Sequence, residues 1–279
     1  MTNITCFIFS KDRAFQLDAL LRSIYQNCPI FDNFIVLYDA STDDFELGYQ
    51  KLADDHHIGL TKQENFEKDT KDLLDRFTCL CMDYVCLMTD DSLFFKPAPF
   101  AISDVDRVFQ KYNPAAISLR LGLNSAQPIG GNRVMKILDY EADDGGVFIY
   151  WDRTRYPSCY DLNYPLTLDG NIFQRDTLSR LVNCVSFKEP NDLEIKLLSQ
   201  TYKLPSTTVS CRHSICTNLE LNMVQTMIKN NLGSYPYSLE ELNKMYLDNI
   251  ELDFNAMDFS NVTNSHEDIK PVFVKKGTQ

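Results

Sequence analysis

Two adjacent carboxylates, Asp90 and Asp91, follow an apolar run in the stretch YVCLMTDDSLFF at residues 84–95. The run predicts a buried strand, so the two acids stand at its carboxyl end. Like charges held side by side repel each other, which costs stability unless a cation neutralises them. Mg²⁺ and Mn²⁺ prefer oxygen ligands, and Mg²⁺ commonly binds one or two carboxylates together with substrate phosphate oxygens. The pair therefore predicts a cation site for a phosphorylated ligand, or else a solvated turn, since Asp and Ser favour turns.

Polar side chains also follow two other predicted strands. Ser10, Lys11 and Arg13 lie at the end of the strand predicted at 4–10, and Asp39 ends the strand predicted within 31–41. Arginine can bind phosphate in a bidentate manner, and Asp39 can accept a hydrogen bond from a base or a ribose. The alternatives are a surface charge for Arg13 and a turn or helix N-cap for Asp39. Because ligands of open α/β sheets bind outside the carboxyl ends of the strands, these side chains and the two acids are predicted to share one site.

The first hundred residues alternate strands with amphipathic helices, which are predicted at 14–27 and 66–77. Strands with near-continuous apolar runs are typical of a mostly parallel sheet covered by helices. The predicted fold class is therefore α/β, a mostly parallel sheet flanked by helices, with a helical C-terminal part. The later elements are predicted as helices at 104–112, 172–182, 191–202, 219–231 and 239–249, a strand at 115–122, loops with short strands over 124–165, and a polar extended tail from 250.

The chain is acidic, with 279 residues and a formal net charge of -12. It has no global basic footprint for nucleic acid, so no nucleic-acid partner is expected. The acidity favours a divalent cation as the mediator of any contact with a phosphorylated ligand. The sequence shows no internal repeat and no Pro/Gly-rich break, which favours one domain over two.

Cysteine usage indicates a reducing compartment, because the nine cysteines show no framework of close pairs and several lie within apolar runs. The N-terminus lacks a long apolar signal region, and no stretch approaches the ~18 apolar residues that span a bilayer. The protein is therefore expected to be cytoplasmic and without a transmembrane segment, while peripheral contact with a membrane stays open. Cys211, His213 and Cys216 raise a zinc site as an alternative, but their spacing matches no standard zinc finger.

Ordered motifs along the chain resemble those of GT-A glycosyltransferases. FIFSKDRAFQLDALLRSI resembles the first strand and helix of family-2-like members, and LMTDDSLFF resembles their metal-binding DxD motif, with Thr89 at its first position. The motifs together cover roughly residues 4–250 and resemble a group of short bacterial and viral members. The further motifs of this group are ISLRLGLN (117–124), IYWD (149–152), YPLTLDGNIF (164–173), EPNDLE (189–194) and NLELNMVQ (218–225).

The resemblance implies a GT-A (Rossmann-like) fold and an enzyme of the kind used in polysaccharide biosynthesis. Such an enzyme moves a sugar from a nucleotide-diphosphate sugar, with UDP as the default nucleotide, to a saccharide or glycoconjugate acceptor. The cofactor would be Mn²⁺ or Mg²⁺. The implied organisation is one glycosyltransferase domain over 1–250, with a nucleotide-binding half at 1–100, an acceptor-side half at 101–250 and a C-terminal tail at 251–279.

The resemblance also implies roles for residues on the donor side. By position, Asp39 would face the base, Asp90 would approach the ribose or the metal, and Asp91 would bind the metal. His213 would supply a metal ligand from the C-terminal side, with a structural or surface histidine as the alternative. Arg13 and the metal would neutralise the departing diphosphate.

Inverting transfer needs a general base within hydrogen-bond reach of the acceptor hydroxyl. The segment PNDLE is predicted to open a helix and offers Glu194 and Asp192 as the catalytic candidates. The alternative for Glu194 is structural, because Asn191 followed three residues later by a glutamate resembles a capping box.

Further residues are predicted to bind the sugars. Asp169 is favoured for sugar binding over a role as base, since Gly170 beside it lets a ligand approach the backbone closely. Arg120 is a predicted cleft residue for the nucleotide sugar, and Asn124 is one for the acceptor. Trp151 either stacks on a sugar or packs in the core.

Two other function classes stay open at this stage. A nucleotidyltransferase that makes nucleotide sugars would carry a Gly-rich phosphate loop after the first strand, and FSKDRAFQL contains no glycine. A non-catalytic carbohydrate-binding protein on the same fold would bind its ligand equally well after Asp91→Ala.

Overall fold

A nine-stranded sheet covered by helices forms the centre of the computed structural model, which describes residues 2–76, 82–125, 136–157, 161–219, 221–222, 224 and 234–277. The α-helices within these residues are α1 Ala14–Asn27, α2 Asp43–His56, α3 Phe66–Arg76, α4 Ile102–Tyr112, α5 Arg175–Asn183, α6 Pro190–Leu198 and α7 Leu239–Leu247. The strands are β1 Ile4–Lys11, β2 Asn33–Asp39, β3 Leu60–Lys62, β4 Tyr84–Thr89, β5 Ser92–Phe94, β6 Ile117–Ser118, β7 Glu141–Ala142, β8 Phe148–Asp152, β9 Asn171–Gln174, β10 Thr207–Cys211, β11 Cys216–Leu219, β12 Ile250–Leu252, β13 His266–Glu267 and β14 Phe273–Lys275. None of the helices in this part of the chain combines the length and the apolar character that crossing a bilayer requires.

Most strands of the central sheet run in one direction. Their order is β3-β2-β1-β4-β9-β6-β10-β8-β7. β1 pairs in parallel with β2 and β4, β2 with β3, and β6 with β10. β9 runs antiparallel to β4 and β6, and β8 runs antiparallel to β10 and β7, so the other strands of the sheet share a direction. The prediction of an α/β fold with a mostly parallel sheet is therefore confirmed.

The central strand β1 shows why an apolar run becomes a strand here. Every residue of β1 except the last is buried. Successive side chains of a strand point to opposite faces of the sheet. Cys6 and Ile8 accordingly pack in the cluster that contains the apolar face of α1, while Phe7 and Phe9 pack in the cluster on the other side. A strand that is covered on both faces needs an unbroken apolar run rather than an alternating one.

A tight connection joins β1 to α1 and sets the position of Arg13. Asp12 adopts a left-handed φ of 55°, which few residues other than glycine do readily. Its carboxylate accepts a hydrogen bond from the backbone N–H of Ser41 at 2.7 Å, which ties this turn to the chain after β2. Arg13 follows at the N-cap of α1, so its side chain starts directly beside the strand ends.

A second, three-stranded sheet brings the C-terminal segment to the end of β4. β11 pairs antiparallel with β5, and β13 pairs parallel with β11, so that His266 lies opposite Asn218. β12 and β14 form a separate antiparallel pair. Residues 250–277, which the sequence presents as an extended polar tail, thus contribute three strands to the described structure.

Several element boundaries differ from the predicted ones. The helix predicted at 172–182 is wrong in its first residues, because these form β9 between β4 and β6. The helix predicted at 191–202 already ends at Leu198, and the strand predicted at 115–122 shortens to β6. The helix predicted at 219–231 falls mostly outside the described residues.

Helix α2 was not predicted, because its sequence is mostly polar. It buries only the stripe Phe45, Tyr49 and Leu52, together with Gly48, against the rest of the fold. Thr42 caps its start, accepting the N–H of Phe45. The capping residue and the sparse stripe at helical spacing were the available signals.

We expect Gly122→Ala to lower the free energy of unfolding by about 1–3 kcal/mol, the usual range for overpacking a tight site. A Cβ on Gly122 would lie 2.4 Å from the backbone nitrogen of Ser214 and 2.7 Å from the carbonyl carbon of His213, and backbone atoms cannot yield as a side chain does. Gly59→Ala is the matched control, because its Cβ would meet nothing within 4 Å. Urea denaturation of both variants measures the difference, and equal stability would show that the two loops are not packed as described.

Candidate active site

A cavity of about 430 Å³ opens where β1, β2 and β4 end. This is the edge of the sheet at which ligands of open α/β folds bind. Carboxylates outnumber Lys and Arg side chains among its described lining residues. The carboxylates are Asp39, Asp90, Asp91, Asp169, Glu189 and Glu194, and the cationic residues are Lys11, Arg13 and Lys188.

Asp90 is buried at 3% exposure and is held by donors from the end of β1. The hydroxyl of Ser10 donates to its Oδ2 at 2.8 Å, the backbone N–H of Lys11 donates to the same oxygen at 3.2 Å, and Nη1 of Arg13 donates to Oδ1 at 3.1 Å. Burial raises the pKa of Asp90 to about 6, an effect that Arg13 opposes and Asp91 strengthens. The two acids thus form a turn between β4 and β5, but Asp90 is not solvated.

Arg13 is engaged by the protein on all three of its guanidinium nitrogens. Nη1 also lies 3.3 Å from Oδ2 of Asp91, while Nε and Nη2 donate to the side-chain and backbone oxygens of Asn222, each at 2.7 Å. The backbone N–H of Arg13 donates to the hydroxyl of Tyr49 at 3.1 Å. Only 8% of its side chain is exposed. Arg13 therefore joins the ends of β1 and β4 to the segment around residue 222.

Asp91 and Asp169 converge on the hydroxyl of Thr89. Oγ1 of Thr89 lies 2.7 Å from an oxygen of each carboxylate. A hydroxyl has one proton to donate, so it can satisfy only one of the two. A cation between the two carboxylates would add to the charge that arginines already supply, since Nη1 of Arg13 lies 3.3 Å from Asp91 and Nη1 of Arg120 lies 3.2 Å from Asp169.

The carboxylate oxygens of Asp91 and Asp169 fit a cation that the protein would hold through two side chains. The described part of the chain contains no cluster of three His, Cys, Asp or Glu side chains that could hold an ion. Ligand oxygens and water would then complete the coordination shell, as they commonly do for Mg²⁺ at phosphate sites. Asn218 supports Asp91 from the side, donating to its Oδ1 at 3.2 Å.

Arg120 and His266 hold Asp169 from behind. Nη1 of Arg120 donates to Asp169 at 3.2 Å and lies 3.1 Å from Nε2 of His266. Burial opposes ionisation of Asp169, but Arg120 and His266 outweigh it and keep the pKa of that carboxyl below its ordinary value. Arg120 itself is buried and is not among the residues that line the cavity. It reaches a ligand only through Asp169.

His266 lines the cavity, and sequence reasoning missed it. Its neighbours, NSHEDI, form no recognisable motif, and the segment was treated as a tail. Only the pairing of β13 with β11, which sets His266 opposite Asn218, brings it to the site. No signal in the local sequence indicates that pairing.

Glu194 lines the cavity from the first half of α6. Its Oε1 accepts the backbone N–H of Leu168 at 2.8 Å. Burial raises the pKa of Glu194 to about 7, and the charge of Asp169 adds to this effect. The N-cap of α6 is Glu189 rather than Asn191, so the capping-box interpretation of Glu194 is wrong.

Asp192, the second catalytic candidate, is not among the lining residues of the cavity. Its Oδ2 accepts the backbone N–H of Lys188 at 3.0 Å and so closes the turn that precedes α6. In the sequence, an acid near a helix start fits either a contact with the preceding turn or a catalytic role. The structure shows the contact with the turn.

Trp151 and Asn124 also lie away from the cavity. Trp151 is 3% exposed in a small apolar cluster, and its indole N–H donates to the backbone oxygen of Leu162 at 2.9 Å. Core packing, the alternative to sugar stacking, therefore describes Trp151. The side chain of Asn124 donates to the hydroxyl of Ser214 at 2.8 Å and accepts the backbone N–H of the same residue at 2.8 Å, which fixes one loop on another.

Gly170 supports the site from behind, whereas His213 stands apart from it. Gly170 adopts a left-handed φ of 73°, which a glycine does without strain and which sets the direction of the chain after Asp169. His213 is exposed and is not among the lining residues. The zinc alternative finds no support, because the described residues hold no cluster of three side chains that could bind an ion.

Lys11, Lys188 and Glu189 also line the cavity; the sequence placed Lys11 at the end of the first strand without giving it a role, and Lys188 and Glu189 were passed over. Lys11 stands in the FSKDR stretch and Glu189 in the EPNDLE motif, so both lay within segments already singled out. The choice among neighbouring polar residues needed the direction of each side chain, which a motif does not contain.

We expect Arg13→Met to lower the free energy of unfolding by about 3–5 kcal/mol, because it leaves the buried carboxylate of Asp90 without its cationic partner. Lys62→Met is the matched control, since Lys62 pairs with Glu46 at 2.6 Å but its side chain is 55% exposed. Such surface pairs contribute about 0–1 kcal/mol. Guanidinium denaturation measures both variants, and a loss for Arg13→Met no larger than that of the control would contradict the role given to Arg13.

Solved structures with a related chain path include two of S. aureus TarS 1–349. The complex with UDP has a TM-score of 0.49 and 12% identity, covering 75% of this chain and 57% of that chain. The complex with UDP-GlcNAc has a TM-score of 0.49 and 11% identity, covering 75% and 56% respectively. A cytidylyltransferase from Leptospira borgpetersenii has a TM-score of 0.37 and 12% identity over 73% of this chain and 74% of that chain.

No protein-family profile matches the chain. A curated protein does: the bifunctional glycosyltransferase pgtA of Dictyostelium discoideum is 22% identical over 285 residues, which cover 89% of this chain. The match covers 36% of pgtA, so the chain spans about a third of the length of that relative. The resemblance read from the ordered motifs is thus confirmed at this level: over most of its length, the chain is glycosyltransferase-like.

Proposed function

We propose that this protein is a glycosyltransferase that moves a sugar from a nucleotide-diphosphate sugar to a saccharide or glycoconjugate acceptor. UDP is the default nucleotide, a divalent cation takes part, and the anomeric configuration is inverted. The sequence match to a glycosyltransferase supports the class of reaction. The observation that carries the proposal is the convergence of Asp91 and Asp169 on Thr89 in the same cavity as Glu194.

Asp91 and Asp169 are the residues that would hold Mn²⁺ or Mg²⁺. When bound, such an ion neutralises charge on the leaving diphosphate. Arg120 keeps Asp169 ionised and oriented, and Asn218 orients Asp91. His213 has no place in this proposal, because it lies outside the cavity.

The nucleoside would lie at the ends of β1 and β2. Phe9, Leu37 and Phe66 supply an apolar wall to this part of the cavity. Asp39 ends β2 with 30% of its side chain exposed, so its carboxylate is within reach of a ligand. A carboxylate only accepts hydrogen bonds, and it therefore suits the hydroxyls of a ribose or an N–H of a base.

Glu194 would serve as the general base. With a pKa of about 7, it is partly ionised at neutral pH and takes up a proton readily. The acceptor oxygen forms a bond to the anomeric carbon while Glu194 takes the hydroxyl proton. The electron pair of the breaking carbon–oxygen bond leaves with the diphosphate, and attack from the opposite face inverts the configuration.

The alternatives fit the site less well. A nucleotidyltransferase is expected to cradle phosphates in a Gly-rich loop, and no glycine occurs among the described residues that line the cavity. A non-catalytic binding protein would have no use for a half-buried acid with a pKa near neutrality beside two further carboxylates in the same cavity.

Metal-dependent nucleotide binding is the first test. In calorimetry with UDP, affinity in the presence of Mn²⁺ should fall about tenfold or more on adding EDTA, and Asp91→Asn should produce the same loss, because metal-site substitutions typically cost at least this much. Asp144→Asn is the control, since Asp144 is 93% exposed and pairs with Lys111 on the surface. A panel of nucleotide sugars under the same conditions identifies the donor. If no nucleotide binds with or without Mn²⁺, the proposed function is wrong.

The pH dependence of transfer tests the base. Because Glu194 acts as a carboxylate and its pKa is raised to about 7, kcat/KM should fall as the pH drops through 7. Glu194→Gln should lower kcat by about 10²–10⁴-fold and abolish this acidic limb. Asp192→Asn, which keeps an acceptor for the N–H of Lys188, should leave both unchanged. Should Glu189→Gln remove the limb instead, the base would be Glu189.

A further inference from the structure

The cationic side chains of the cavity differ in how exposed they are and in how fully the protein bonds them. Arg13 is 8% exposed and bonded on every guanidinium nitrogen, while the side chain of Lys11 is 52% exposed. We propose that Lys11, together with Lys188, binds the diphosphate of the nucleotide, and that Arg13 only holds the strand ends together. This inference rests on the proposed function and names residues within its site.

Arg13 cannot turn toward a ligand without leaving charge buried. Its Nη1 neutralises Asp90, which has 4% of its side chain exposed, and its other two nitrogens bond to Asn222. Moving the guanidinium to a phosphate would strip a buried carboxylate of its partner, a change that is strongly unfavourable. The positive charge of Arg13 is therefore already used within the protein.

Lys11 has the opposite properties. Its backbone is fixed, because its N–H donates to Asp90, but among the residues that the structure describes its ammonium group pairs with Asp39 alone, at 2.8 Å in an exposed contact. Exposed pairs of this kind contribute little and exchange readily. The flexible four-carbon stem lets the ammonium group move from a carboxylate to a phosphate while the strand stays in place.

Lys188 lies on the other side of the same opening. It precedes α6, and its backbone N–H is held by Asp192 at 3.0 Å. Lys188 and the next residue, Glu189, line the same cavity as Lys11; the pKa of Lys11 is raised mainly by its hydrogen bond to Asp39, with a smaller contribution from the charge of Glu189. A phosphate group between the two sides of the opening would thus meet one lysine from each.

The charge of the cavity favours such a pair. Six carboxylates line the described cavity; Arg13 pairs with Asp90 and Asp91, and Arg120 pairs with Asp169 from behind. A diphosphate adds further negative charge, and a divalent cation at Asp91 offsets only part of the total. The ammonium groups of Lys11 and Lys188 at the rim would supply the remaining positive charge. They stay in solvent when no ligand is bound.

Calorimetry with uridine and with UDP separates contacts to the diphosphate from contacts to the nucleoside. The proteins are the wild type, Lys11→Met and Lys188→Met, with Lys203→Met as the control, because Lys203 is exposed and lies outside the cavity lining. Methionine keeps the apolar stem and removes the charge. Each protein is titrated in Mg²⁺ and again in EDTA, at low and at high salt.

We expect Lys11→Met to bind UDP about tenfold or more weakly than the wild type, the scale of one charge-assisted hydrogen bond, and Lys188→Met to weaken UDP binding in the same direction. Uridine affinity should be unchanged in both variants, which also shows that the site is folded. The salt dependence of UDP binding should become shallower in both.

Three outcomes would overturn the inference. Unchanged UDP affinity in both variants would mean that Lys11 only pairs with Asp39 and that another group binds the diphosphate. Equal losses of uridine and UDP would assign the lysines to the nucleoside or to the fold. Wild-type protein that binds neither compound would defeat the proposed function and this inference together, whereas the first two outcomes leave the proposed function standing.

Discussion

The contact between Arg13 and Asp90 is the constraint on which the rest of the site depends. It joins the ends of β1 and β4 in a nearly dry environment, and Arg13 extends the connection to Asn222. A buried ion pair is tolerable only when its remaining donors and acceptors are also satisfied. Ser10, the N–H of Lys11 and the backbone oxygen of Asn222 complete that set. Of the two adjacent acids at the tip of β4, Asp91 is the more accessible, with 20% of its side chain exposed against 4% for Asp90.

A second group of charged residues affects the pKa of Glu194. Arg120 and His266 keep Asp169 ionised, and the charge of Asp169 in turn raises the pKa of Glu194, adding to the effect of burial. A general base needs a pKa near neutrality, and the raised pKa of Glu194 meets this requirement. One arginine that never reaches a ligand can therefore control the basicity of Glu194 through Asp169. The acidic cavity is a connected system, in which a divalent cation would alter every member.

The sequence indicated the fold class and the edge of the sheet well, because both follow from simple rules. Unbroken apolar runs such as Ile4 to Phe9 predict strands that are covered on both faces, and the acids after two such runs predict where the strands end. Asp39, Asp90 and Asp91 were found in this way, whereas Glu194 was found from its place near a predicted helix start. What the sequence did not contain was the direction of each side chain. It could not show that Arg13 is turned inward while Lys11 stays exposed, although the two are separated by one residue.

Long-range pairing accounts for the other differences. His266 reaches the cavity only through the register of β13 on β11, and β9 is a strand only because β4 and β6 flank it. Trp151 is a core residue because a carbonyl at Leu162 accepts its N–H. Such facts depend on partners distant in sequence, which no local period or motif encodes. Asp192 shows that local sequence also leaves roles open. An acid near a helix start can contact the start of the helix or act as a catalytic base, and only the fold distinguishes the two.

We propose that Asp90 belongs to the frame of the site, whereas Asp91 binds the ligand through a cation. A crystal structure of the protein with UDP and Mn²⁺, with the ion located by its anomalous signal, tests this claim most directly. We expect an ion at Asp91 and Asp169 beside the diphosphate, while Arg13 keeps its bonds to Asp90 and Asn222. An ion bound to Asp90, or Arg13 released from Asp90 and turned onto the diphosphate, would contradict it.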